Sequence, residues 1–144
     1  MHMTVVETIK NKIKDNTLSG QDLPAVLDAI VAIVKENEDT KELLEDMAEE
    51  DEEVRVNFII SGMDPHHLEI AGGNIVHQES KSDDPTVDII TDPDTAVGLI
   101  AGKIDATEAY GAGKVKVSGN LARAMSLVLV LNVVADTFGI EAGM

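Results

Sequence analysis

One stretch constrains the fold more than any other: TDPDTAVGLIAGKIDATEAYGAGKVKVSGN, from Thr91 to Asn120. It reads as the end of a strand, a capped helix, a short second helix, another strand and the cap of a further helix. Asp92 is placed to accept hydrogen bonds from free backbone N–H groups. Pro93 is preset for the first helical position, and Asp94 puts negative charge at the positive end of the dipole. Ala96, Val97, Leu99 and Ile100 then form an apolar face, and Gly102 stands where a helix C-cap wants φ > 0. Asp105 to Tyr110 suits a short helix, which Gly111 and Gly113 end. Lys114–Ser118 alternates like a half-buried strand, and Gly119-Asn120 opens a last helix.

The rest of the chain supplies what this unit must pack against. Thr4–Asn16 carries Val6, Ile9 and Ile13 at helical spacing, and Thr17–Gly20 breaks it. Asp22 is expected to cap a second helix with Leu23, Val26, Leu27, Ile30 and Val34 on one face. Ala25, Ala29, Val31, Ala32 and Ile33 make that helix apolar nearly all round, so it must be covered on two sides. It is expected either at the centre of the helical layer, or with its second face over a ligand or a second subunit. Glu36–Thr40 reads as a polar break and Lys41–Glu53 as a helix whose acidic end, Glu49–Glu53, is solvated and frayed.

Strands follow. Val54, Val56, Phe58 and Ile60 alternate with Arg55, Asn57 and Ile59. His67–Ile70 and Asn74–His77 are short strands joined by a tight Ala71-Gly-Gly-Asn74 hairpin, and Thr86–Thr91 is a fourth strand. From Leu121 the chain is helical to about Phe138. Leu121, Ala124, Met125, Val128, Leu129 and Asn132 share one side, while Leu127, Val130 and Leu131 make the middle apolar all round.

Little in this pattern suits catalysis. There is no cysteine and no Gly-x-Ser-x-Gly elbow. Gly111-Ala-Gly113-Lys114 fails the spacing of a phosphate loop and leads into a strand, so its N–H groups do not converge on an anion. His66 and His67 adjoin and must diverge. His67 and His77 could face each other across the hairpin beside Glu69, but so loose a set is a poor metal site, and surface histidines are the expectation. No metal and no cofactor is expected. Lys103, Lys114 and Lys116 are expected on a solvated face.

With 144 residues and a formal charge of −16, the chain is one domain that will not bind nucleic acid or dock unaided on anionic membranes. Its longest apolar stretch, Leu127–Leu131 continuing to Val133–Ala135, is shorter than the ~18 residues a membrane span needs. No signal peptide is visible, so a cytoplasmic location without stable membrane insertion is expected.

The residues Asp94, Ala96, Gly98, Gly102-Lys103, Ala109, Gly111, Gly113-Lys114-Val115-Lys116-Val117 and Gly119-Asn120 are similar to the most recognisable segment of the sterol carrier protein 2 (SCP-2) family. The chain resembles the prokaryotic type of that family over residues 42–144, with 1–41 as a helical extension packed on the same domain. The resemblance implies an α/β (α+β) fold: a five-stranded, mostly antiparallel sheet with helices on one face and extra N-terminal helices. It implies non-enzymatic binding or transfer of a hydrophobic ligand (fatty acyl, isoprenoid or sterol-like) in an apolar tunnel between sheet and helices. Val97, Ile100, Ile104, Leu121, Met125, Val128, Leu129 and Phe138 are the expected wall. A rival reading is an interaction module, with a homodimer formed through the N-terminal helices. A third is an enzyme acting on a bound acyl chain through Glu108, Tyr110 and a histidine.

Overall fold

The computed structural model describes residues 4–100 and 103–138; within that span the side chains of Ile100, Ala106, Val128 and Phe138 are left aside, and Gly102 lies outside it. The described chain runs α1 (Val5–Lys14), a 3₁₀ turn (Gly20–Asp22), α2 (Leu23–Glu36), α3 (Glu38–Glu49), β1 (Val54–Ile60), β2 (His66–Ala71), β3 (Asn74–Gln78), β4 (Val87–Thr91), α4 (Pro93–Ile100), α5 (Ala106–Gly111), β5 (Lys116–Gly119) and α6 (Leu121–Phe138). The strands form one sheet in the order β3-β2-β1-β4-β5. Only the central β1–β4 pair is parallel; the other neighbours are antiparallel. The mostly antiparallel sheet covered by helices is as expected.

Alternation in the strands decides which face is covered. Val54, Val56 and Ile60 of β1, Leu68 and Ile70 of β2, Ile75 of β3 and Val87 of β4 are buried in a single cluster with α2, α3 and α6. The opposite face sets Ile59 and Ile90 beside polar side chains that bond to one another. Arg55 pairs with Glu69 at 2.8 Å across the β1–β2 ladder. Asn57, wholly buried, donates to Asp88 Oδ1 at 3.0 Å and accepts from the Ser82 backbone N–H at 2.8 Å, which fastens the 80–84 loop to the sheet. A buried amide is tolerable because its hydrogen-bonding capacity is used.

Helix starts follow their caps. Thr4 and Glu7 make a reciprocal capping box on α1, Asn37 caps α3, and Asp105 accepts from the Glu108 N–H at the start of α5. Asp22 differs from expectation. Its carboxylate accepts from the Ser19 N–H at 2.9 Å and pairs with Lys12 at 2.6 Å, so it closes the 3₁₀ turn and ties it to α1 rather than capping α2. The polar break before α3 is correspondingly narrow: Asn37 alone leaves helical geometry, and Glu38–Thr40 are already the first turn.

α2 takes the central place in the helical layer. It packs on α1, α3, α6 and β3, and Leu23, Val26, Leu27, Ala29, Ile30, Ile33 and Val34 are all buried. Each of its large aliphatic side chains contributes about 1.5–3 kcal/mol by leaving water. The acidic run after α3 is not a frayed end. Glu52 pairs with Arg123 at 2.7 Å and accepts from Ser126 Oγ at 2.6 Å, both on α6, and Glu53 pairs with Arg55. Asp51, at φ 53°, turns the chain so that these carboxylates face different partners.

The β4–β5–α6 joint rests on Gly119. Its φ is 112°, and a Cβ there would stand 2.4 Å from the Thr86 carbonyl oxygen, which also accepts from the Asn120 N–H at 2.9 Å. Gly119→Ala should therefore cost at least about 1–3 kcal/mol, measurable by urea denaturation. A loss below about 0.5 kcal/mol would show that this joint can relax.

Candidate functional site

α6 carries the first candidate surface. Leu127, Val130, Val134 and Ala135 turn into the core, which leaves the opposite side of the helix outside. There Leu121, Met125 and Leu129, four residues apart, are 61%, 60% and 56% exposed. Positions i, i+4 and i+8 lie on one face, so three large apolar side chains form a continuous stripe. Single exposed aliphatics are ordinary, but an aligned row is not. Asn132 lies on the same line of the helix, and its Oδ1 is the one buried side-chain nitrogen or oxygen without a partner among the described residues.

The other expected wall residues divide. Val97 is buried in the core beside Ala96, and Ile104 is half-buried. Ile104 seats against Gly98 so closely that a Cβ on Gly98 would approach its Cδ1 to 2.4 Å. The glycine of the α4 face is thus what lets the following loop fold back. The side chains of Ile100, Val128 and Phe138 lie outside the described residues. Lys103, Lys114 and Lys116 are exposed, as expected.

The second candidate was missed in the sequence. His66 and His77 do not lie on the surface face; both point to the helix-covered side of the sheet. The register pairs His77 with Leu68, so His77 shares the face of Leu68 and of His66, while His67 falls on the other face and bonds the Ser80 carbonyl at 2.6 Å. His77 thus meets His66 rather than His67, and neither His66 nor His77 is the surface histidine expected. His66 Nδ1 stands 2.9 Å from His77 Nε2, and His77 Nδ1 stands 2.6 Å from Asp28 Oδ1 on α2. The ring centres are 5.1 Å apart and the ring planes 28° from parallel. That separation is what two imidazoles show when they meet nitrogen to nitrogen in line, not when stacked face to face. The signal available beforehand was strand alternation continued one residue back from Leu68 to His66.

His66 is only 5% exposed, yet it lines an open cleft with Pro24, Gly62, Met63, Asp64 and Glu79. Burial, and secondarily the neighbouring His77, hold its pKa below the ordinary 6.5. At the cap of α4 a downward shift favours the charged form instead. Asp92 accepts from the Thr95 hydroxyl at 2.6 Å and the Thr95 N–H at 2.9 Å, which together keep its carboxyl below the usual value. Among the described residues, no three His, Cys, Asp or Glu side chains are placed to hold a metal ion.

Residues 30–132 match the SCP-2 sterol transfer family. The chain belongs to that family. Its fold is similar to sterol carrier protein 2 from Yarrowia lipolytica in the apo form, with a TM-score of 0.55 at 19% identity, covering 75% of this chain and 88% of that one. It is similar to the ubiquinone synthesis protein UbiJ-SCP2, with a TM-score of 0.56 at 12% identity over 76% and 91% of the two chains. A third likeness is to sterol carrier protein 2 like 2 from Aedes aegypti, with a TM-score of 0.52 at 12% identity over 74% and 94%. No curated protein matches the chain in sequence. The SCP-2 family implies binding or transfer of lipids or sterols. No helix among the described residues is long and apolar enough to cross a membrane.

The histidine pair gives this SCP-2 domain a predictable acid response. Because the fold disfavours a charged His66, the unfolded chain takes up that proton first as pH falls below 6.5. Stability is then lost progressively until the folded-state pKa is passed. The high negative charge works the other way, since acidification relieves repulsion, so the comparison must be with a variant. Between pH 7.5 and 5.5 the melting temperature of His66→Phe should fall less, or rise more, than that of the wild type. Parallel curves would mean that His66 titrates alike in both states.

Proposed function

We propose that this chain binds a hydrophobic ligand through a single alkyl-type chain, and that it carries or stores that ligand without chemically changing it. Membership of the SCP-2 family supports the general class. The observation that carries the reading is the Leu121–Met125–Leu129 stripe on α6. A helix with one face sealed in the core and the opposite face apolar has surface to bury. Unbranched, adaptable methionine beside leucines suits a flexible alkyl or isoprenoid chain, with each methylene removed from water contributing about 0.8 kcal/mol. Of the other expected wall residues we keep half-buried Ile104; Val97 is sealed in the core, and the side chains of Ile100, Val128 and Phe138 lie outside the described residues.

Fatty acyl and isoprenoid ligands fit this surface better than a rigid sterol, because the stripe is aliphatic and the whole chain holds only one tyrosine and two phenylalanines. The interaction-module reading loses its original support, since α2 is enclosed by α1, α3, α6 and β3. Self-association, if it occurs, would have to use the α6 stripe instead.

Native mass spectrometry of the freshly purified protein, followed by organic extraction, tests this directly. A stoichiometric lipid should co-purify, or fatty acid and isoprenoid probes should be taken up one per chain. Met125→Glu and Leu129→Glu should abolish occupancy while changing stability by no more than about 0.5 kcal/mol, because both side chains are exposed. A clean apo mass with no uptake would end the carrier reading. A dimer that Met125→Glu dissociates in analytical ultracentrifugation would assign the stripe to a second copy of the chain.

A further inference from the structure

The cleft beside His66 has a chemistry of its own, independent of the α6 stripe. Hydrogen-bond direction along Asp28–His77–His66 determines what it presents. The Asp28 carboxylate can only accept, so the His77 proton sits on Nδ1. His77 Nε2 is then an acceptor, and the proton between the rings belongs to His66 Nδ1. That leaves the lone pair of His66 Nε2 as the end of the chain. Nε2 makes no hydrogen bond among the described residues. It is also absent from the sealed, partnerless atoms, where Asn132 Oδ1 stands alone, so it reaches the cleft that His66 lines. A carboxylate behind one imidazole raises the basicity of that ring and fixes its orientation; here the effect passes through a second ring.

Asp64 and Glu79 flank the same cleft, and neither makes a hydrogen bond or ion pair among the described residues. No lysine or arginine lines it; the remaining lining is Pro24, Met63 and Gly62. All the polar side-chain groups present are therefore acceptors, two of them anionic, beside two apolar side chains. Such a set repels anions. It also lacks the three convergent ligands of a metal site. What complements it is a compact cation with several N–H donors and a short apolar stem.

We propose that this cleft binds a primary aliphatic amine, whose ammonium group donates to His66 Nε2 in the field of the Asp64 and Glu79 carboxylates while its first methylenes lie on Pro24 and Met63. The proposal requires a neutral His66, and burial together with His77 favours the neutral ring. The titratable groups facing it are His77 on β3, Asp28 on α2, Asp64 before β2 and Glu79 after β3. Acidification past the lowered pKa of His66 should remove the acceptor.

Titration with n-hexylamine at pH 7.5 and low salt, followed by calorimetry and by the imidazole nitrogen NMR signals, tests the site. Saturable one-to-one binding is expected, with the His66 signals shifting most, and with n-hexanoate not bound. Affinity should fall at least tenfold in His66→Phe and in the Asp64→Asn/Glu79→Gln double variant. It should fall several-fold in Asp28→Asn. The carboxylate variants change exposed side chains, so they decide the matter even where His66→Phe fails to fold. Vesicles of phosphatidylethanolamine against phosphatidylcholine then separate the sources: binding to the first alone assigns a lipid head group, and binding to neither assigns a free amine. Non-saturable binding, equal binding of hexanoate, or shifts spread over the acidic surface without His66 would overturn the proposal.

Discussion

Burial of α2 between the sheet and the other helices is the constraint on which the rest of the molecule depends. The helix is apolar on nearly every side, so no arrangement with one face in water is available to it. α1 and the 3₁₀ turn must close over its outer side, with Ile9 wholly buried and the Lys12–Asp22 pair clipping the two together. On its inner side it meets β3, and laterally α3 and α6. The chain ahead of β1 is thus part of the same core.

Placing α2 near β3 leaves α6 to cover β1 and β4 at the other side of the sheet. An eighteen-residue helix packed along one line can bury only part of its circumference. Its sequence is nevertheless apolar well beyond that line, and the surplus becomes the Leu121–Met125–Leu129 stripe. Glu52, Arg123 and Ser126 anchor the flank of α6 between the buried and exposed sides. The helix is therefore held against rolling its apolar surplus inward. A row of aliphatics kept outside by a polar clamp is a surface that gains by meeting something else.

Much of this was legible in the sequence where a local rule had no competitor. The Asp92-Pro93 helix start, the Gly72-Gly73 hairpin and the alternation of Val54, Val56 and Ile60 are dictated within a few residues, and the resemblance between Asp94 and Asn120 identified the family. Legibility failed where tertiary partners decide. Asp22 looked like a cap, but a lysine ten residues earlier claims its carboxylate. Glu52 looked solvated, but its partners lie 71 and 74 positions away in sequence on α6. For α6 the pattern showed that it was apolar all round and could not show which third would face out. Among the expected wall residues, Val97 is sealed while Leu121, Met125 and Leu129 are open, a distinction that depends on how α6 is rotated.

The histidines mark the limit of pattern reading most sharply, because their placement looks unfavourable until the partners are counted. Two imidazoles on the covered face of a sheet would each bury polar nitrogens, at a cost of about 1–3 kcal/mol for every atom left unpaired. The register removes most of that cost. Three of the four ring nitrogens are engaged in one unidirectional chain that ends on Asp28, whose side chain is largely exposed and so retains its hydration. The chain can accept one further proton only at His66 Nε2; a second would set two N–H groups against each other between the rings. Proton count, ring orientation and access are thus set together by a single carboxylate on α2. A leucine at position 66 or 77 would keep the face apolar but would lose the chain, which is what ties β2 and β3 to α2 at this point.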